Sequence, residues 1–240
     1  MTIYQDLKFK NKVKQNELKE EFKTLFMSIA PHKNRYSVFS DFVFFMAASY
    51  RNSIYFSEVI EAEYLKSIKS YNQDEIEKIC KLFSLTVLIA DSGEPADHLG
   101  RFYAEMNFTS SHIGQFFTPD DLSYLIVQLQ LSNLKNHIEK DEYATMSDPA
   151  CGAGSTFMAC IRYCLNININ PQKSLLIHGQ DIDRLVALMC YVQLCIWYIP
   201  CEICIGDSMK NEQREVWHSP AYHLGLWAQR VRTARTKIKV

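Results

Sequence analysis

The chain has 240 residues, a formal net charge of -1 and 48% hydrophobic residues, which is ordinary for a globular protein. The near-zero net charge argues against nucleic-acid binding driven by the charge of the whole protein. No apolar run is long enough to span a bilayer. The amino terminus is polar and lacks the apolar core of a signal peptide. We therefore expect a cytoplasmic protein without membrane contact, whose eight cysteines are reduced.

The first part of the chain has the apolar spacing of helices. Apolar residues recur at three- and four-residue intervals over three segments, 16–29, 41–50 and 74–90. The polar stretch DSGEP that begins at Asp91 reads as a loop. We expect a helical amino-terminal region over 1–95 and a second domain over 96–240.

Beyond residue 100 the pattern changes to alternating helices and strands. A helix is predicted to begin at Thr118, because Thr118 suits the N-cap, Pro119 the first helical position and Asp120 the positive end of the helix dipole. The next elements are expected in the order strand, helix, strand, helix, strand, over 144–146, 156–165, 174–178, 184–198 and 202–205. This order with these lengths implies a parallel sheet with right-handed crossovers.

All three predicted strands are followed by acidic residues and glycines. Asp148, Asp181 and Asp207 fall at their carboxyl ends, the edge at which open α/β sheets bind ligands. Three carboxylates disfavour a phosphate ligand, and the first turn lacks both the P-loop lysine and the GxGxxG spacing. An aminoacyl nucleoside without phosphates suits this edge better, so S-adenosylmethionine is the candidate cofactor.

Two motifs carry a resemblance to a known family. GQFFTP at 114–119 followed by DPACGAGS at 148–155 resembles the modification subunits of type I restriction systems and related N6-adenine DNA methyltransferases. The resemblance covers roughly residues 97–209. It implies an α/β, Rossmann-like methyltransferase fold with an incomplete parallel sheet, preceded by the helical region, with S-adenosylmethionine as cofactor and DNA as partner.

The resemblance also assigns cofactor contacts residue by residue. Asp148 would lie near the methionine amino group, and Asp181 would accept hydrogen bonds from the ribose hydroxyls. Asp207 would bind the adenine amino group. The glycines would let the backbone pass the methionine moiety, and the loop before the helix would close over it. These further candidates are Phe117, Thr118, Pro119, Ala150, Gly152 and Gly154.

The sequence departs from the family at the catalytic loop. These enzymes use [NDS]-P-P-[YFW] to hold the target amino group and stack on a flipped base. The nearest match here is SPAY, in which alanine replaces the second proline, so the catalytic candidates are Ser219, Pro220 and Tyr222. The competing interpretation is a surface loop in which Pro220 and Tyr222 only pack.

Three strands leave the sheet incomplete, with the first strand at an open edge. Exposed strand edges invite pairing, so we expect the carboxyl-terminal segment or another chain, such as a second copy, to cover it. Residues suited to this cover are Trp217, Leu224, Leu226 and Trp227. The CxxC at Cys201 and Cys204 has no second pair at zinc-site spacing, and we expect no metal there.

Two functions remain open at this point. The first is a methyltransferase-like protein related to restriction and modification, which transfers or formerly transferred methyl groups from S-adenosylmethionine to adenine N6 in DNA. The alternative is a catalytically inactive S-adenosylmethionine-binding module that acts on protein partners in regulation or anti-restriction. A methyltransferase for RNA or protein is a weaker third hypothesis. The location of 219–222 relative to the cofactor distinguishes the first two.

Overall fold

The computed structural model describes residues 3–108, 118–131 and 133–237. The helices are α1 (Ile3–Ser28), α2 (Arg35–Asn52), α3 (Glu58–Ile68), α4 (Gln73–Asp91), α5 (His98–Glu105), α6 (Asp120–Gln130), α7 (Leu134–Asp141), α8 (Ser155–Asn166), α9 (Pro171–Ser174), α10 (Arg184–Ile196), α11 (Pro220–Leu224) and α12 (Trp227–Lys237). The strands are β1 (Ala144–Asp148), β2 (Leu175–Asp181), β3 (Cys201–Ile205) and β4 (Glu215–His218). Within the described ranges, no helix is both long enough and apolar enough to cross a membrane.

The strands form one sheet in the order β1-β2-β3-β4. The first three are parallel and are joined through α8 and α10, so the predicted α/β class with an incomplete parallel sheet is confirmed. Register pairs Asp148 with Gly179 and Asp181 with Ile205, which brings the carboxyl ends of the three strands to one edge. The two crossover helices pack against the core, and all residues of α10 except the first and the last, Arg184 and Ile196, are buried.

The fourth strand was not predicted from the sequence. β4 runs antiparallel to β3, with Trp217 opposite Ile203. Trp217 is fully buried and packs edge-to-face on Tyr191, with ring centroids 5.4 Å apart. The Arg51 guanidinium lies 4.8 Å from the Trp217 ring centroid. A polar segment therefore becomes a strand through contacts with helices that are distant in the chain. The local sequence pattern does not predict such contacts.

The helical region shares its core with the sheet region. α1 packs against α4, and α2 packs against α10, so Phe39 and Phe42 belong to the same buried cluster as Ile177. The predicted helical segments fall largely within α1, α2 and α4. The short α3 has Ile60 as its buried residue, which explains why its apolar pattern is weak. The domain division at residue 95 stays a prediction.

The predicted start of the helix after residue 117 is wrong in detail. α6 begins at Asp120, its N-cap residue is Pro119, and no side chain caps it, so Thr118 is not the cap. Thr118 stands one position too early for its hydroxyl to reach the first free N–H groups. Asp120 lies at the positive end of the helix and forms an ion pair with Arg101.

Part of the carboxyl-terminal segment approaches the β1 side of the sheet. Trp227 is buried and packs edge-to-face on Tyr143, the residue before β1, with ring centroids 5.2 Å apart. Leu224 and Leu226 are exposed, and Trp217 lies at the opposite end of the sheet in β4. Among the described residues, β1 has no partner strand on its outer side.

Candidate functional site

Three hydrogen bonds join the strand ends into one edge. After β1, the backbone N–H of Cys151 donates to the Gln180 carbonyl at 2.9 Å, and that of Gly152 donates to Asp181 Oδ2 at 2.8 Å. After β3, the Gly206 N–H donates to the Asp181 carbonyl at 2.9 Å. The glycine-rich turn, the end of β2 and the turn after β3 are therefore direct neighbours.

The Asp181 carboxylate is the centre of this edge. Its Oδ1 accepts a hydrogen bond from the Asp183 N–H at 2.9 Å, and its Oδ2 accepts the one from the Gly152 N–H. Burial raises the pKa of Asp181, the two backbone N–H groups oppose that rise, and the nearby carboxylates of Asp183 and Asp148 add to it. A carboxylate has about four lone-pair sites, so Asp181 retains capacity for further donors. This edge favours a ligand that brings hydroxyl or ammonium donors.

The turn after β1 depends on two glycines with positive φ. Gly152 has φ +53°, and a Cβ there would meet no atom of the described residues within 4 Å. Gly154 has φ +91°, and its Cβ would lie 2.7 Å from Cys190 Sγ. Asp148 starts the turn by accepting a hydrogen bond from the Ala150 N–H at 3.0 Å. Gly154 thus serves close packing against α10, whereas Gly152 borders open space.

Asp207 follows β3 at the same edge. Its Oδ1 accepts from the Met209 and Lys210 N–H groups at 3.0 and 3.3 Å, and its Oδ2 lies 3.2 Å from Lys210 Nζ. The Lys210 side chain is the main cause that lowers the pKa of Asp207. Asp183, the acidic residue next to Asp181, caps α10 by accepting from the Leu185 N–H at 2.8 Å.

Of the predicted loop before α6, two residues can be located. α6 packs against α8, and Ser123 Oγ lies 3.3 Å from the Oγ of Ser155, the residue after Gly154. Thr118 and Pro119 precede α6 and therefore lie on the side of the glycine-rich turn. Phe117 falls outside the described residues.

Ser219, Pro220 and Tyr222 do not join this edge. Ser219 is fully buried; its Oγ accepts from the Cys201 N–H at 3.0 Å and donates to the Ile199 carbonyl at 2.8 Å. Cys201 is the first residue of β3, whereas Asp207 follows its carboxyl end. At about 3.3 Å per residue, the five residues of β3 span about 13 Å, and Asp207 lies two residues beyond them.

The competing interpretation is wrong in that the SPAY segment begins a helix instead of forming a loop, but the Tyr222 ring does pack, with its centroid 4.4 Å from that of His218. Ser219 accepts from the Tyr222 N–H and caps α11, and Ala221 is buried. A catalytic role for Ser219, Pro220 and Tyr222 is therefore at odds with their position, because the antiparallel direction of β4 carries them to the amino ends of the parallel strands.

Gln193 of α10 was missed by sequence reasoning. Its Nε2 donates to the Ala153 carbonyl at 2.8 Å and to Asp97 Oδ1 at 2.9 Å. Its Oε1 accepts from the His98 N–H at 2.8 Å, so this buried amide ties α5 to the glycine-rich turn. The available signal was a single polar residue within the apolar helix VALMCYVQLCI, since a buried amide requires partners.

Besides burial, the Asp183 carboxylate raises the pKa of two tyrosines, Tyr36 of α2 and Tyr103 of α5. Burial raises the pKa of Tyr36, and the Asp183 carboxylate raises it further. Burial, Tyr36 and Asp183 together raise the pKa of Tyr103 to about 12. α2 and α5 thus bring two phenol groups within electrostatic range of Asp183, which no local motif indicates.

The CxxC cysteines do not converge. Cys201 and Cys204 are three residues apart in β3, so their side chains leave opposite faces of the sheet. Across the part of the chain with assigned structure, no three His, Cys, Asp or Glu residues are grouped to hold a metal ion.

Comparison with known proteins identifies a family and two proteins to which the chain is similar. Residues 96–231 match the N-6 DNA Methylase family. The chain is 27% identical to the type I restriction enzyme MjaVII methylase subunit of Methanocaldococcus jannaschii, over 65% of this chain and 30% of that protein. A structure from Listeria monocytogenes, described as a class I S-adenosylmethionine-dependent methyltransferase, covers 82% of this chain and 55% of that one at 16% identity and TM-score 0.39, which supports no functional inference.

The chain spans 30% of the length of the methylase subunit that it matches, so the activity of that whole protein does not transfer to it directly. The family match extends over more than half of the chain and contains the glycine-rich turn and all three acidic strand ends. The resemblance inferred from the two sequence motifs is confirmed. This protein belongs to the N-6 DNA methylase family.

Proposed function

We propose that the carboxyl edge of β1, β2 and β3 binds S-adenosylmethionine, and that the protein acts in the methylation of adenine N6 in DNA, in the cytoplasm. The hydrogen bond from the Gly152 N–H to Asp181 Oδ2 carries the proposal, because it joins the glycine-rich turn to the acidic end of β2. That pairing lies within the segment that matches the N-6 DNA methylase family.

The residues at this edge suit the cofactor's chemistry. S-adenosylmethionine offers an ammonium group, two ribose hydroxyls and an adenine amino group, all donors, and it supplies an electrophilic methyl group when bound. Asp148 would hold the ammonium group, Asp181 the ribose hydroxyls and Asp207 the adenine amino group. The turn at 148–155 contains no lysine or arginine, which a phosphate ligand would favour.

The glycine-rich turn and the loop before α6 would enclose the methionine end. The open space beside Gly152 lets a ligand approach the backbone closely. The other residues of this enclosure would be Ala150, Gly154, Phe117, Thr118 and Pro119.

A second candidate function is a cofactor-binding module without transfer, acting on protein partners in regulation or anti-restriction. The position of Ser219 favours it, because its hydroxyl is used by the backbone at the other edge of the sheet. The sequence also contains no [NDS]-P-P-[YFW] tetrapeptide. Transfer would then need a catalytic group from another chain.

Calorimetry with S-adenosylmethionine tests the cofactor site. Asp148→Asn keeps an oxygen for the Ala150 N–H but removes the charge, so we expect a loss of affinity of about 10- to 100-fold. Asp74→Asn is the matched control, because Asp74 is an exposed residue of α4 paired with Lys78. Equal affinity of both variants and the unaltered protein would refute the site.

Methyl transfer separates the two functions. The protein would be incubated with labelled S-adenosylmethionine and unmethylated DNA, and the nucleosides analysed. Labelled N6-methyladenine supports the methyltransferase, and binding without label supports the module. Absence of cofactor binding by folded protein would refute both.

A further inference from the structure

A groove lies at the amino ends of the parallel strands, the end of the sheet opposite to the acidic edge. Its volume is about 430 Å³, and it is lined by residues of α9, α11, α12 and the turn before β3. α9 ends at Ser174, directly before β2, and Tyr198 lies shortly before β3. None of the residues assigned to S-adenosylmethionine lines this groove. It is therefore separate from the proposed cofactor site.

The charged residues that line the groove are both cations. Lys173 is exposed, and Arg230 is half-buried, with its guanidinium 3.8 Å from the Trp227 ring centroid and donating to the Lys173 carbonyl at 3.1 Å. No aspartate or glutamate lines the groove, and neither cation is paired with a carboxylate among the described residues. An arginine that makes one hydrogen bond retains four more N–H donors. The groove therefore presents unpaired positive charge to a ligand.

The chain segment that follows β4 adds to this positive charge. It contains α11 and α12 and has no aspartate or glutamate from residue 219 to residue 240. Its lysines and arginines are Arg230, Arg232, Arg235, Lys237 and Lys239, the last of which lies outside the described residues. The Arg232 side chain is exposed. Several cations on one short segment suit a ligand that carries repeated negative charge.

Two carboxylates lie near these cations. Burial raises the pKa of Tyr222, the Glu202 carboxylate raises it further and Arg232 lowers it, so both charges act on this ring. The Glu202 carboxylate is already held by two imidazoles, the closer of which is that of His218 at 2.8 Å. Glu142 lies two residues before β1, near the start of α12. Lys173 and the five cations of the carboxyl-terminal segment outnumber these two acids.

A surface of this kind favours the sugar-phosphate backbone of a nucleic acid. Phosphate oxygens accept charge-assisted hydrogen bonds from lysine and arginine, and they also accept hydrogen bonds from tyrosine hydroxyls. The Tyr198 side chain is 45% exposed and lines the groove together with Lys173. At the other end of the strands, the carboxylates of the acidic edge repel phosphates. The amino ends are therefore the end of the sheet that suits a polyanion.

We propose that Lys173, Tyr198 and the cations of α12 bind the phosphate backbone of duplex DNA. The contact does not depend on base sequence, because phosphates carry no sequence information. It is a second DNA contact, separate from the one that would present the target adenine to the cofactor. The choice of DNA over RNA rests on the proposed function.

Fluorescence anisotropy with a labelled, unmethylated duplex of about 20 base pairs tests the proposal, in salt from about 50 to 200 mM and without S-adenosylmethionine. We expect binding whose logarithmic affinity falls linearly with the logarithm of the salt concentration. No binding at about 50 mM salt overturns the proposal. An RNA duplex of the same sequence that binds at least about tenfold more tightly would assign the surface to RNA and also overturn it.

Matched variants locate the contact. Lys173→Gln combined with Arg232→Gln removes two exposed cations of the surface, and should weaken binding several-fold and reduce the salt slope by about 1 to 2. Lys66→Gln combined with Lys69→Gln is the control, because it removes the same charge at two exposed lysines in α3 and at its C-cap. The control should stay within about twofold of the unaltered protein.

Two results with these variants would overturn the surface. Equal losses in both pairs would show an effect of net charge alone, and unchanged affinity in the folded Lys173→Gln, Arg232→Gln protein would remove the contact. Lys173→Gln by itself serves if the pair does not fold, and it should reduce the salt slope by about 1.

Cofactor binding and methyl transfer are measured on the same proteins to keep the two proposals separate. The Lys173→Gln, Arg232→Gln protein should keep its calorimetric affinity for S-adenosylmethionine, because neither residue lies at the acidic edge. Loss of cofactor affinity together with DNA affinity would overturn the separate surface. A protein that binds duplex DNA through these residues but transfers no methyl group would support the surface and refute only the transfer.

Discussion

Replacing Gly154 or Gly152 by alanine should have different consequences, although both have positive φ. At Gly154 the new methyl group would lie 2.7 Å from Cys190 Sγ and 3.4 Å from its Cβ. Cys190 is fully buried in α10 and has no room to withdraw. At Gly152 the methyl group would meet no described atom within 4 Å.

The magnitudes follow from these two surroundings. A left-handed backbone costs an alanine about 1–2 kcal/mol at either position. Overpacking against Cys190 adds about 1–3 kcal/mol at Gly154. We therefore expect a loss in the free energy of unfolding of about 2–5 kcal/mol for Gly154→Ala and about 1–2 kcal/mol for Gly152→Ala.

Urea denaturation of both variants is the assay, with a double-mutant cycle through Cys190→Ala. Removing the sulfur should restore the steric part of the Gly154→Ala loss and none of the loss at Gly152. Gly152→Ala should weaken S-adenosylmethionine binding by more than its loss of stability explains, because its methyl group occupies the space proposed for the ligand. Equal losses at both glycines, or no coupling between Gly154 and Cys190, would refute this reasoning.

Three further changes follow from the hydrogen bonds of the fold. Gln193→Leu should lower the free energy of unfolding by about 2–4 kcal/mol in urea denaturation, because its amide bridges α5 and the glycine-rich turn; a loss below about 0.5 kcal/mol would contradict the bridge. Ser219→Ala should cost about 1–2 kcal/mol through the lost cap and leave calorimetric S-adenosylmethionine affinity unchanged, so a normal fold with weakened binding would argue against a structural Ser219. The His178 and His218 side chains hold the pKa of Glu202 well below its usual 4.5, so its carboxylate contributes stability above pH 4.5 that is lost as the pH falls below it. The difference in unfolding free energy between the unaltered protein and Glu202→Gln should therefore shrink from pH 7 to pH 3, and a constant difference would contradict the assignment.

Local pattern was sufficient for the three parallel strands and the turn between β1 and α8. Glycines and acidic residues after short apolar runs are turn chemistry, set by neighbours in the chain, and parallel pairing then brings Asp148 and Asp181 to one edge. The two motifs around that turn were also sufficient to find the family.

The positions of β4, Ser219 and Gln193 were decided by tertiary contacts. Polar residues around Trp217 form a strand because the indole ring is buried against Tyr191 and Arg51, which are distant in the chain. The antiparallel direction of that strand then carries Ser219 away from the acidic edge. Gln193 joins Asp97 and Ala153, which lie 96 and 40 residues before it. Contacts across such separations depend on how helices and strands pack together, and no window of neighbouring residues contains that information.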